Sequence, residues 1–239
     1  MRYIISGLAL VLVLNPHVVA AKAGKDRETL SLSARLRIRV PRMDETHASP
    51  VQTLIHTALR YQLPFALEYV DRDAMELRPR LKLPAATVQQ RIELLVGMLP
   101  GLKVSFSGGL VDVYALAARS DPSNLLNTVL RQFKAQRVDA GLADSMLHGA
   151  LLAQLMPTTG FGGSFGGVGG SPVTIDAHNV RVYEALNMIV SEQGHSMWVV
   201  GVPPDKLSKL DGNLWRFYGL YPGLEQTVVE RLLNLFPMR

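Results

Sequence analysis

Residues 87–99 of the chain read TVQQRIELLVGML and are followed by Pro100 and Gly101. Thr87 and Gln90 stand three positions apart directly before an apolar pattern, which is the signature of a capping box at the start of a helix. Apolar residues then recur at helical spacing, and a Pro-Gly pair does not continue a helix. This stretch therefore predicts an amphipathic helix with one buried face.

The segments on both sides of this helix predict strands and a second helix. Ser49 to Gln52 (SPVQ) is another capping box, and the helix behind it ends before Pro64. The predicted strands lie at 34–40, 65–69, 80–83, 103–106 and 110–115. The order predicts a small β-α-β-β-α-β module of the α+β class, with its helices packed on short mixed sheets.

The most regular alternation lies at 34–40, where ARLRIRV alternates apolar and basic residues. A strand there would place Arg35, Arg37 and Arg39 on one face and Ile38 on the other. We identify these four residues as a candidate interaction edge. The same arginine stripe is compatible with a solvated edge that discourages aggregation, or with a surface for a polyanion or a lipid headgroup.

A second unit repeats the first at an offset of 94 residues. Val88 corresponds to Val182 and Val104 to Trp198, and three further apolar helix positions match between them. The predicted elements of this unit are a strand at 129–138, a helix capped by Asp139, a strand at 173–177, a helix at 182–190 and a strand at 197–202. Such repetition indicates two tandem modules, here 30–118 and 122–203.

The second unit is interrupted by a glycine-rich stretch at 158–171. We interpret it as a flexible loop, which could order on a partner. The candidate residues of this loop are Gly160, Phe161, Gly163, Phe165 and Gly167. The stretch contains the hydrolase pattern G-x-S-x-G around Ser164, but no predicted strand precedes it and no predicted helix follows it to expose that serine. The pattern therefore does not predict a nucleophile.

The N-terminal residues 1–23 predict a secretory signal peptide. Arg2 precedes an apolar run, Ile4 to Leu14, and small residues follow it. The run is shorter than the ~20 apolar residues that span a bilayer. Cleavage after Ala21 or Ala23 fits the pattern, so the mature chain is expected to be exported to the periplasm without a transmembrane span.

Residues 204–239 are predicted to form an aromatic-rich C-terminal tail that ends in a helix. Aromatic side chains at this density seldom stay solvated. The tail is expected either to pack onto a module in cis or to dock on a partner in trans.

Composition excludes several kinds of site. The 239 residues contain no cysteine, which excludes disulfides, thiol nucleophiles and cysteine metal sites. The formal net charge of +5 falls to +3 when residues 1–23 are removed, since Arg2 and Lys22 leave without an acidic residue, and this gives little support for nucleic-acid binding. The five histidines from His47 to His195 lack metal-ligand spacing. We predict no metal, no cofactor and no catalytic residue.

Several motifs together resemble a known family. Pro50-Val51, Thr87 to Leu95, Gly101-Leu102 and the strand at 110–115 match the helix starts, the helix exit and the last strand of the short N-terminal (STN) domain of secretins and TonB-dependent receptors. The second unit resembles a diverged copy through Asn179 to Leu186. Arg91 stands where this family usually has alanine.

The resemblance implies a free-standing, exported, non-catalytic protein–protein interaction or adaptor module with a protein partner in the cell envelope. Two alternatives remain open at this point. One is a binder of an envelope polymer or anionic surface through the arginine stripe, and the other is an enzyme, a hydrolase of unrecognised type.

Overall fold

The predicted starts of the two principal helices are confirmed. The side chain of Thr87 accepts a hydrogen bond from Gln90 N (3.2 Å), and Gln90 Oε1 accepts one from Thr87 N (2.9 Å), which completes a capping box. Ser49 Oγ accepts from Gln52 N at 3.4 Å, with Pro50 in the first helical turn. Both caps satisfy backbone N–H groups that a helix start leaves without partners.

The computed structural model describes residues 30–68, 77–155, 171–194, 196–200 and 216–219, the last of these by their backbone alone. The helices described are α1 (Leu32–Leu36), α2 (Pro50–Arg60), α3 (Val88–Gly97), α4 (Leu116–Ser120), α5 (Ala140–Leu155) and α6 (Val182–Gln193). The strands described are β1 (Arg39–Val40), β2 (Met43–Glu45), β3 (Phe65–Glu68), β4 (Leu81–Leu83), β5 (Ala86–Thr87), β6 (Leu102–Ser105), β7 (Val111–Ala115), β8 (Val129–Val138), β9 (Val173–Arg181), β10 (Ser196–Val200) and β11 (Arg216–Gly219). The fold is α+β.

A five-stranded mixed sheet organises these elements, in the order β11-β10-β3-β7-β6. The central strand β3 is parallel to both of its neighbours, with Phe65 opposite Val111 on one side and Met197 on the other. The outer pairs, β6 with β7 and β10 with β11, are antiparallel.

Both faces of this sheet are covered. Phe65, Leu67 and Met197 belong to a core shared with α2 and α3. Ala66 and Trp198, which alternate with them along the strands, belong to a second core shared with α5, α6 and the β8–β9 pair. All four residues of β3 are consequently buried.

Three two-stranded sheets complete the described structure, namely β1–β5, β2–β4 and β8–β9. The β8–β9 ribbon is the longest of them and runs from Val129 opposite Arg181 to Val138 opposite Val173. A bulge interrupts it at Arg137, which has a φ of +51°. Buried residues on one face of the ribbon pack on α5 and α6.

The prediction of a strand at 34–40 is wrong for most of its length. Residues 32–36 form α1, because Ser31 Oγ caps the backbone N–H of Ala34, and strand structure begins only at Arg39. Ile38 N donates a hydrogen bond to Arg35 O at 3.2 Å, which is the i to i+3 bond of a final helical turn. Local capping therefore outweighs the alternating pattern, and the three arginines do not share a strand face.

The offset of 94 residues recurs in the structure, since α3 and α6 begin at Val88 and Val182, and β6 and β10 begin at Leu102 and Ser196. The strands that follow the helices nevertheless take different places. β6 is an outer strand and β10 lies next to β3, so residues from 30–118 and from 122–203 build one sheet. The described elements from Ser31 onward belong to a single compact unit.

The predicted signal peptide, the loop residues Gly160 to Gly167 and the final helix of the tail lie outside the described residues. Of the tail, the backbone of β11 is described, and it adds a strand to the sheet. Within the described part of the chain, no helix has the length and apolar character needed to cross a membrane.

Candidate functional site

A groove of about 470 Å³ lies between β9 and α6 and is the candidate site. Its walls are Thr174 to Ala177 of β9 and one side of α6, and the β6–β7 turn lines it at Ser107 and Gly108. Leu110 and Asp112 complete the lining. We call this cavity the β9–α6 groove.

The strand wall of the groove is an edge of the ribbon. Among the described residues β9 pairs with β8 alone. Four consecutive β9 residues line the groove, whereas a strand that presented a face would contribute alternate residues. The main chain of β9 therefore borders the groove, as at a sheet edge that offers N–H and C=O groups to a further strand.

The helix wall is a single stripe of α6. Its five lining residues, Glu184, Asn187, Met188, Ser191 and Glu192, are spaced as neighbours on one helix face. Met188 lies at the middle of this stripe and is 39% exposed. Glu184 is the first residue of this stripe. Its Oε2 accepts a hydrogen bond from the backbone N–H of Arg181 at the start of the helix (2.8 Å).

The β6–β7 turn is fixed against α6. Ser191 Oγ donates to Gly108 O at 2.6 Å. Gly108 and Gly109 have φ values of +64° and +80°, a region that favours glycine. A Cβ on Gly109 would lie 2.3 Å from Ser191 Oγ, so this close approach requires glycine.

The groove is acidic. Of the described residues that line it, Asp112, Asp176, Glu184 and Glu192 are carboxylates and none is basic. Asp176 lies 3.3 Å from Lys134 Nζ, and hydrogen bonds from Gln132 and Lys134 hold the pKa of its carboxyl below the ordinary range. Asp112 is the one carboxylate whose side chain is directed into the core.

Asp112 belongs to a buried polar cluster beneath the groove, the Arg119 cluster (Glu68, Asp112, Arg119, Asn187 and Trp198). Arg119 Nη2 donates to Asp112 Oδ1 and Oδ2 at 2.9 and 2.8 Å, and its Nε donates to Glu68 Oε2 at 2.7 Å. Asn187 Nδ2 donates to Asp112 Oδ2 (3.2 Å), while its Oδ1 accepts from Trp198 Nε1 (2.9 Å). These bonds connect β3, β7, β10, α4 and α6.

Two tyrosines enclose the guanidinium of this cluster. Arg119 Cζ lies 4.0 Å from the ring centre of Tyr114 and 4.1 Å from that of Tyr183. A planar guanidinium stacks well between aromatic faces, which lysine does not reproduce. The arrangement fixes the position of Arg119 between the two carboxylates.

The electrostatics of the cluster follow from its burial. Burial raises the pKa of Glu68 to about 7, against the opposing effect of Arg119, and Glu68 Oε1 has no hydrogen-bond partner among the described residues. Burial also raises the pKa of Asp112, again opposed by Arg119. Glu68 is fully buried and does not line the groove, so this carboxyl is not placed to exchange a proton with a bound molecule. The cluster acts as a structural junction beneath the groove.

The four residues of the predicted interaction edge do not line this groove. Arg35 donates from its guanidinium to Gln62 O, and Arg37 and Arg39 are exposed. Ile38 accepts a hydrogen bond from Val88 N through its backbone oxygen. The glycine-rich loop that precedes β9 in the chain is not described. No group of three or more potential metal ligands was found within the described ranges.

Sequence reasoning missed Glu68, Arg119 and Asn187. The available signal was an acidic residue within each of two otherwise apolar segments, FALE at 65–68 and LVDV at 110–113. In the sequence, Arg91 stands out only as a departure from the STN motif. The structure shows its guanidinium bound to Pro41 O and Pro84 O, where it joins α3 to the segments before β2 and after β4.

Comparison of the chain with protein-family models, with curated proteins and with solved structures found no match. The resemblance to STN domains therefore rests on the motif residues alone.

Proposed function

We propose that this chain is an exported, non-catalytic interaction module that captures an extended segment of a protein partner in the cell envelope. The observation that carries the proposal is the β9–α6 groove, in which a strand edge with no second partner among the described residues faces a helix. The bound segment would add to the ribbon as a third strand beside β9.

Strand addition supplies affinity through main-chain hydrogen bonds and selectivity through alternate side chains. The four β9 residues that line the groove extend over about 10 Å from the first Cα to the last, at about 3.3 Å per residue. A segment of about four to five residues fits beside this length of strand. The helix opposite would confine the side chains on one face of the segment, so the groove can select among sequences.

Features of the sequence support the rest of the proposal. The signal-peptide pattern of residues 1–23 supports export, and the resemblance to STN domains supports a role in protein–protein interaction. α3 and α6 begin 94 positions apart in the chain, and so do β6 and β10. This common offset supports an origin in two diverged copies of one module. On this proposal the two copies have diverged, so that β10 lies next to β3 whereas β6 is an outer strand. The second copy supplies the two walls of the groove, β9 and α6.

The test is a selection of short random peptides on the purified protein, followed by mapping of the bound peptide by NMR. We expect the largest amide shifts at Thr174 to Ala177 and along the 184–192 face of α6. A scan of N-methylated peptides then tests strand addition, because methylation removes one backbone donor at a time. Binding should be lost at alternate positions and retained at those between them.

Two results would contradict the proposal. Selected peptides whose shifts map away from β9 and α6 would show that the groove is not the binding site. Peptides that bind there but tolerate N-methylation at every position would show that no strand is added. A scrambled peptide of the same composition serves as the control for nonspecific binding.

A further inference from the structure

The helix wall of the groove carries a charge pattern with a regular spacing. Glu184 and Glu192 stand at the two ends of the lining stripe of α6, with Met188 midway between them. Eight residues of helix at 1.5 Å per residue separate the two carboxylates along the axis by about 12 Å. The stripe is therefore acidic, apolar and acidic in turn.

The other two carboxylates of the groove are already paired. Asp112 accepts two hydrogen bonds from Arg119, and Asp176 lies beside Lys134. Glu192 is exposed, and Glu184 accepts hydrogen bonds from the backbone N–H of Arg181 (2.8 Å) and from the hydroxyl of Tyr183 (3.2 Å). The guanidinium of Arg181 and the ammonium of Lys134 stand near the groove but do not line it. The charge available to a bound molecule is thus concentrated at the two ends of the stripe.

An extended peptide can place two of its side chains at the same separation as Glu184 and Glu192. Side chains at positions one, three and five of a strand point to the same side, and positions one and five lie about 13 Å apart. That distance is close to the axial separation of Glu184 and Glu192. A residue at position three would then lie opposite Met188.

We propose that the segment bound in the β9–α6 groove has the pattern basic–x–apolar–x–basic, with Lys or Arg at the first and fifth positions and an apolar residue at the third. This inference rests on the proposed function, since it assumes that an extended segment lies along β9. It specifies the chemistry of the partner: a cationic stretch of polypeptide with a single apolar anchor.

The experiment compares four seven-residue peptides for binding to the purified protein by fluorescence anisotropy. The reference peptide is Thr-Lys-Thr-Val-Thr-Lys-Thr. The others replace both lysines by glutamine, replace both by glutamate, or exchange the second lysine with the threonine before it (Thr-Lys-Thr-Val-Lys-Thr-Thr), which turns that lysine to the other side of the strand. We expect the reference to bind best, the glutamate peptide to bind worst, and raised salt to reduce the difference because it screens exposed charges.

Matched variants of the protein assign the effect to the stripe. Glu184→Gln keeps an oxygen that can cap the helix, and Glu192→Gln removes an exposed charge, so each should weaken the reference peptide by about two- to fivefold. Glu93→Gln, on α3, is the control and should have no effect. Met188→Gln should weaken all peptides that contain valine, whereas Leu94→Gln should not, although Leu94 is 40% exposed and Met188 39%.

The outcomes separate this inference from the proposed function. Equal binding of the lysine, glutamine and glutamate peptides, with shifts at β9, would overturn the charge pattern and leave strand capture intact. Tighter binding of the glutamate peptide would overturn it as well. Absence of binding by the reference peptide, while selected peptides of another composition bind at β9, would show that the anchor chemistry is wrong. If neither the reference nor the selected peptides bind at β9, both proposals fail.

Discussion

Asn187 on α6 donates its side-chain amide to Asp112 on β7 at 3.2 Å, although 75 positions separate the two residues in the chain. The same side chain accepts the indole N–H of Trp198. Asn187 thus joins the segment 30–118 to the segment 122–203 within one core. Since buried polar groups need partners, this residue has consequences for stability.

We expect Asn187→Leu to lower the free energy of unfolding by about 2–4 kcal/mol, because it leaves the Trp198 N–H without its acceptor and removes one donor from Asp112. Denaturation by urea, followed by tryptophan fluorescence and circular dichroism, measures the change. A double-mutant cycle with Trp198→Phe should show a coupling of about 1 kcal/mol. Additive effects would mean that the two side chains do not act together.

Arg119 and Arg80 form a matched pair for testing burial. Each bonds a carboxylate, but the side chain of Arg119 is 16% exposed and that of Arg80 is 57% exposed. We expect Arg119→Met to destabilise the protein by about 3–5 kcal/mol, because Glu68 and Asp112 lose their buried counter-charge. Arg80→Met should have no clear effect, because its pair with Asp44 is solvated. Similar losses in the two variants, measured by thermal unfolding, would contradict this account.

The pKa of Glu68 predicts a pH dependence of stability. Because burial raises it from 4.5 to about 7, the folded protein holds this proton more tightly than the unfolded chain does. Its contribution to the free energy of unfolding therefore falls as the pH rises from about 4.5 to about 7. We expect Glu68→Gln to lack this fall and to gain stability relative to the wild type between about pH 5 and about pH 8.

Urea denaturation at several pH values measures that difference. His148 contributes in the opposite sense, since burial lowers its pKa to about 4, but it is present in both proteins and cancels in the comparison. Glu45→Gln, which removes a carboxyl group at an exposed position on β2, is the control for the loss of one acidic side chain. A wild-type profile parallel to that of Glu68→Gln would show that Glu68 does not titrate in this range.

Two glycines should respond to alanine in opposite directions. Gly109→Ala puts a Cβ 2.3 Å from Ser191 Oγ at a φ of +80°, so we expect a loss of at least about 1–2 kcal/mol and displacement of the β6–β7 turn from the groove. Gly97 is helical and its Cβ would meet nothing within 4 Å, so Gly97→Ala should stabilise the protein by about 0.5–1 kcal/mol. Differential scanning calorimetry of the two variants provides the comparison. Equal changes in melting temperature would contradict it.

Elements specified by near neighbours in sequence were predictable. The helix start at Val88 depends on Thr87 and Gln90, and strand β8 was predicted with the bounds that the structure has, Val129–Val138. Residues 34–40 show the limit of this reasoning. The alternation of arginine with apolar residues predicted a strand, but the cap at Ser31 formed α1 instead.

The site itself was not predictable from periodicity. The groove exists because β9 and α6 pack beside the β6–β7 turn, and that packing depends on contacts between distant residues such as Ser191 and Gly108. The burial of Glu68 likewise requires that both faces of the sheet be covered, which the FALE segment does not reveal. An alternating pattern describes one face of a strand and gives no information on which strands become neighbours.

The pairing of β3 with β10 sets the order in which this chain can fold. Phe65 pairs with Met197, which is synthesised 132 positions later. Until that stretch emerges, β3 has β7 on one side and an open edge on the other, and the core that contains Trp198 is incomplete. Contacts of such long separation slow folding and prolong the lifetime of forms with exposed sheet edges. A nascent chain that ends near residue 150 is therefore expected to be prone to aggregation, and acquisition of β10 is expected to be a late and decisive step.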